Sequence, residues 1–198
     1  AQRIIVENYL AAKYYTDISI ANDYYTYDVV YGNDVAGIGR IDAGNMHTAA
    51  QSAGIFRISN ASDLGDNEFL LFGHDNGNIS SWTTNEVPGD SIRRITREWR
   101  LDETGDVGSV TVTLDTTLLP VKPEGYSEYV MWVDADGDFS SGATLYNLTK
   151  TAQGYTASLV PVNDGDYVSF GILRPVVQFT LTTSEINEGT TPALIDIS

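Results

Sequence analysis

Between Ile92 and Asp115 apolar and polar residues alternate more regularly than anywhere else in the chain. Ile95, Arg97, Trp99 and Leu101 share one face of an extended segment, and Arg94, Thr96, Glu98 and Arg100 the other. Val110, Val112 and Leu114 then alternate with Ser109, Thr111 and Thr113. The pattern predicts two strands, and Glu103-Thr104-Gly105-Asp106-Val107-Gly108 between them suits a hairpin with a slightly long loop. Arg97 falls on the face of Trp99. It is expected to pair with a carboxylate and fix how two sheets meet, or else to lie in water at the sheet's end, because an unpaired buried charge is costly.

Elsewhere the period changes. From Arg3 to Tyr14 it is helical, with Val6, Leu10 and Tyr14 on one side and Ile5 and Tyr9 beside them. Asn22 to Asp28 is aromatic and acidic without clean alternation; Tyr24, Tyr25 and Tyr27 could hold a sugar by stacking, although such rings more often simply pack. Gly37 and Gly39 lack the strand-loop-helix setting of a phosphate loop, so they read as points of close backbone approach in a strand. Further strands are predicted at 55–59, 69–72, 129–133, 155–160 and 167–173, with turns at Asn76-Gly77 and Asn163-Asp164-Gly165. Phe69-Leu70-Leu71-Phe72 is apolar on both faces, as a central strand would be. Arg174-Pro175 breaks the ladder. The stretches 176–183 and 185–198 read as strand, turn and strand, too little to bury a core of their own.

Composition narrows what this fold can do. A chain of 198 residues can bury one good core. Twenty-seven acids against 11 bases give a formal net charge of -16, which disfavours nucleic acid and anionic lipid and attracts divalent cations. There is no cysteine, hence no disulfide and no thiolate zinc site, and no apolar run long enough to cross a bilayer. His47 and His74 lie too far apart in sequence for the HExxH spacing of a zinc enzyme. No nucleophile elbow occurs and no carboxylate pair stands out, so no enzyme activity is expected. The chain has no initiator methionine and stops in a strand-like run, and we expect it to be a window of something longer.

The sharpest chemical signal is Asp134-Ala135-Asp136-Gly137-Asp138, where alternating carboxylates around a glycine can turn oxygen ligands toward one calcium ion. The match to an EF-hand is partial, with Trp132 and Ala143 where that loop has ligands. The alternative is a solvated Asp-Gly turn.

Several motifs together resemble a repeated β-rich module of very large secreted surface proteins in gliding, type IX-secreting bacteria. They are Val6 to Tyr14, Asn33 to Arg40, Phe72 to Gly77, Arg94 to Arg100 and Val133 to Phe139, in that order and spacing. The resemblance spans residues from about 4 to 173. It implies that the N-terminal helix closes an upstream laminin-G-like domain, and that Val177 to Leu181 with Glu188-Gly189 open a Calx-beta-like sandwich.

The expected architecture is therefore mainly β: an antiparallel β-sandwich at 18–173 with one N-terminal α-helix in 1–17, plus the first strands of a second β-sandwich at 174–198. The expected function is that of a structural or adhesive module in an extracellular filament at the bacterial cell surface, in gliding motility or attachment. Calcium would sit at Asp134, Asp136 and Asp138, and the partners would be neighbouring modules and surface glycans, with no nucleic acid and no membrane insertion. A carbohydrate-binding module of a polysaccharide-processing protein is the second expectation, with Tyr24, Tyr25 and Trp82 as ligand-facing aromatics.

Overall fold

The structure, a computed structural model, describes residues 1–175. The chain is mainly β and antiparallel, as the alternation predicts. Helix α1 (Gln2–Tyr14) is followed by a short α2 (Asp28–Tyr31) and then by strands throughout. These are β1 (Asn33–Asp42), β2 (Asn45–His47), β3 (Ala49–Ser52), β4 (Phe56–Ser59), β5 (Glu68–His74), β6 (Ile92–Arg94), β7 (Trp99–Thr104), β8 (Ser109–Leu114), β9 (Glu128–Asp134), β10 (Thr144–Thr151), β11 (Gly154–Pro161) and β12 (Tyr167–Leu173).

The strands form one path, β2-β1-β5-β7-β12-β9-β10-β11-β8-β4-β3, with β6 added beside β12. Strand β10 makes the corner: Thr144 to Leu148 pair with β9, and Thr149 to Thr151 pair with β11. The two expected layers are thus joined through a shared strand, and the sheet curls until β3 lies near β1, giving a barrel-like body instead of a sandwich of separate sheets.

The expected hairpin of β7 and β8 does not form. Strand β7 pairs with β5 and β12, and β8 pairs with β4 and β11, so the loop between them arches from one wall of the curled sheet to the other. Val107 in that loop is fully buried in the main core and donates its N–H to Glu103 Oε1 at 2.8 Å. An inward-pointing apolar residue at this point makes the loop a plug across the core's end.

Alternation correctly assigns the faces of the central strands. Leu70 and Phe72 point into the main core, while Phe69 and Leu71 point outward under α1. Strand β9 repeats the arrangement, with Met131 and Val133 inside and Val130 and Trp132 outside. Glycine matters at Gly39, where a Cβ would overlap the Phe69 ring.

Three apolar clusters result. The largest fills the curled sheet around Phe56, whose ring lies 4.9 to 5.4 Å from those of Phe72, Trp99 and Phe170. A second joins α1 and the tyrosine-rich strap that follows it to the outer face of β1 and β5. The third gathers Ile92, Val130, Trp132 and Phe139 on the outer face of β6 and β9. Helix α1 buries Ile4, Ile5, Asn8, Ala11 and Ala12 and ends at Tyr15, which adopts a left-handed φ of 53°. The helix is where the sequence placed it, but it is rotated: Val6, Leu10 and Tyr14 face solvent. The expected second sandwich falls almost wholly on 176–198, outside the described residues.

Candidate functional site

Apolar strand β9 delivers the acidic loop to the end of the sheet, where its first aspartate, Asp134, is buried. Asp136 and Gly137 donate their N–H groups to Asp134 Oδ2 at 2.9 and 2.6 Å. The Asp138 N–H donates to Asp136 Oδ1 at 2.9 Å, and Ser140 donates to Asp138 Oδ1 through its N–H at 3.0 Å and its hydroxyl at 2.6 Å. The Ser140 hydrogen bonds hold the exposed Asp138 carboxyl below its ordinary range. Each aspartate thus spends one oxygen on folding its own loop. The loop ends in fully buried Phe139, which packs near Trp132 at 6.4 Å. Among the described residues no three histidine or carboxylate side chains converge on one point.

The aromatics expected to face a ligand are dispersed. Tyr25 is 2 % exposed and donates its hydroxyl to the Tyr31 carbonyl at 2.9 Å, so it is a strut of the second cluster and not a platform. Burial raises its pKa far above the ordinary tyrosine value. Tyr24 lies against Phe69 at 4.6 Å in the same cluster. Trp82 packs on the main core and donates its indole N–H to the Val121 carbonyl at 3.1 Å. A tyrosine-rich stretch reads the same whether its rings are outside or inside; here the strap must cover Phe69 and Leu71, and the rings are turned inward to do it.

The arginines are redistributed as well. Arg97 is half-buried and donates to the Gly77 carbonyl at 2.9 Å and to Asn76 Oδ1 at 3.3 Å, and among the described residues it makes no ion pair. The buried, paired arginine is Arg94, 3 % exposed, whose Nη2 reaches both Glu98, at 3.0 Å, and Glu86. Burial raises the Glu98 carboxyl, against the pull of Arg94. Alternation assigned the faces correctly, since Ile95, Trp99 and Leu101 all enter the main core and Arg94 lies outside over Phe139, but Arg97, in the break between β6 and β7, turns to the Gly77 carbonyl and not to a carboxylate.

His74 is buried and locally hydrogen-bonded: the Asn76 N–H donates to its Nδ1 at 2.9 Å, leaving Nε2 to donate to Asp34 Oδ2 at 3.2 Å. Burial lowers its pKa, and Arg97 lowers it further.

Sequence reasoning missed Arg100. Its guanidinium lies between two tyrosine rings, 4.4 Å from Tyr27 and 3.9 Å from Tyr167, and the enclosed Nε has no acceptor. The available signal was its position directly outside buried Leu101, on the face that the strap covers.

No curated protein and no solved structure matches the chain. The model of one family, described as a domain of unknown function (DUF8202), matches residues 2–166, which include the helix, the strap, the acidic loop and all but the last strand of the curled sheet, and the chain belongs to that family.

Proposed function

We propose that this domain is a structural and adhesive module of a long secreted filament at a bacterial cell surface. The observation that carries this reading is the N-terminal helix. It is packed firmly on one side, yet it presents Val6, Leu10 and Tyr14, 52, 41 and 63 % exposed, along the other. Monomeric proteins seldom leave such a stripe uncovered, and a neighbouring module of the same chain would cover it. The high negative charge suits an array whose modules must stay soluble and apart. No helix among the described residues is long and apolar enough to cross a membrane.

In-frame removal of this domain from the parent protein tests the reading. The surface fibre should shorten by about 40 Å, the diameter of a compact domain this size, and cell attachment or movement should fall. Unchanged fibre length and attachment would sink it.

Calcium belongs to the same proposal, bound by Asp134, Asp136 and Asp138 through the oxygens that the loop turns leave free. For a site of about 10 µM affinity, about 1 mM calcium should add about 2.7 kcal/mol of stability. Melting curves with and without chelator would then differ by several degrees, and superimposable curves would remove calcium from the proposal.

A further inference from the structure

Strand register sets three side chains in a row across the middle of the sheet. Tyr167 of β12 pairs with Arg100 of β7 on one side and with Asp134 of β9 on the other. Directly paired residues point to the same face of a sheet, so arginine, tyrosine and aspartate stand side by side on its outer face. The strap bounds the row at one end, where Tyr31 stands edge-on to Tyr167 at 5.7 Å. The acidic loop bounds it at the other, with Gly137 close against the Tyr167 ring.

The row has hydrogen-bonding capacity of both signs that the protein does not use. Among the described residues Arg100 makes no side-chain hydrogen bond and no ion pair, although its two faces are held by Tyr27 and Tyr167. The stacking restricts the guanidinium, and Arg100 as a whole remains part-exposed. Gly165 lets the guanidinium lie against backbone, since a Cβ there would come within 3.2 Å of Nη2. Asp134 spends Oδ2 on its loop, and among the described residues no donor reaches Oδ1.

Charge decides which ligand chemistry fits. An anion drawn to Arg100 would be repelled by Asp134 and again by buried Asp166 nearby. A neutral vicinal diol escapes both penalties. Its oxygens accept from the guanidinium, and one hydroxyl donates to the carboxylate. We propose that the Arg100–Tyr167–Asp134 row is a saccharide subsite that takes one neutral sugar unit through a vicinal diol. The subsite does not depend on the filament reading above, because a free-standing domain would carry it equally.

The test is a calorimetric titration of the whole chain with neutral oligosaccharides and, separately, with uronate-bearing ones. Amide chemical shifts would be followed in parallel. The neutral sugars should bind, shifting the amides of Gly137, Gly165 and Tyr167, and Arg100→Met should weaken binding by about 10-fold or more while the far-UV spectrum is retained. Three results overturn the subsite: no neutral sugar bound by the wild type, binding that Arg100→Met leaves unchanged, or binding confined to the uronates. Should Arg100→Met fail to fold, the wild-type shift map decides, and shifts located away from the row overturn the proposal.

Discussion

The inside of the curled sheet and the layer wrapped around its outside are built on different principles. Inside, the largest cluster is almost wholly apolar, with Phe56 touching aromatic neighbours from three strands and Trp99 donating its only polar hydrogen to Ser52 at 3.0 Å. Outside, residues 1–32 are held by polar stitches. Asn8 donates to the carbonyls of Ile4 and Asn22 and accepts the Tyr24 N–H, and the Thr26 N–H and hydroxyl both donate to Asp102 Oδ2, at 2.6 and 2.9 Å. Apolar packing gives the interior its stability, while directional bonds to a few buried polar groups fix where the outer layer sits. The two should therefore respond differently to substitution and to pH.

The largest effect belongs to the interior. Phe56→Ala empties the meeting point of Phe72, Trp99 and Phe170 and should cost about 4 kcal/mol in chemical denaturation, with one global transition. A loss below about 1 kcal/mol would mean that the apolar interior is not where stability resides.

Next comes the outer face at Arg94. Removing this guanidinium leaves half-buried Glu98 beside an uncompensated site, and Arg94→Met should cost about 3 kcal/mol. Arg97→Met, which removes only bonds to a carbonyl and an amide, should cost less than about 1 kcal/mol. If the two variants ranked the other way, the costly charge would lie at Arg97, on the face of Trp99 where alternation first placed it, and the contrast between interior and covering would need redrawing.

That pair of arginines shows how far the sequence carries the fold. Periodicity located the helix and most of the long strands but missed the corner strand β10, and the double-sided apolar run of β5 correctly signalled a sheet covered on both faces. It could not supply partners. Val110 and Leu101 look like neighbours across a hairpin, yet each pairs with strands that are distant in sequence. Nor could it rotate the helix: Val6, Leu10 and Tyr14 form a better apolar stripe on paper than the face that is buried, which includes Asn8 and two alanines. The site fared similarly. The loop at Asp134 was visible from its composition, but Arg100 joins it only through β12, which enters the chain more than sixty residues after Arg100 and more than thirty after Asp134.

The smallest effect tests the comparison most directly, because acid should act on the two regions in opposite directions. Burial raises the Asp102 carboxyl, with Asp164 and Asp23 adding to the rise and the bonds from Thr26 opposing it. A raised folded-state value means that this group's contribution is fully present below the unfolded value of about 3.9 and is lost as pH climbs through the folded one. His74 has a lowered value, set by burial and Arg97 against Asp34 and Asp75, so its contribution is present at neutral pH and is lost as pH falls below about 6.5. Mild acid should therefore tighten the strap over Asp102 and loosen the end of the sheet where His74 faces Trp99 at 5.6 Å. Asp102→Asn keeps an acceptor for Thr26 and removes the buried charge. It should add up to about 1 kcal/mol at pH 7 and nothing at about pH 4. Hydrogen exchange, corrected for intrinsic rates, would show the Thr26 amide gaining protection between pH 7 and about pH 4 while Asn76, bonded to His74, loses it. Parallel changes at both amides would show that the strap and the sheet end open together, and that the polar stitches do not give the outer layer an equilibrium of its own.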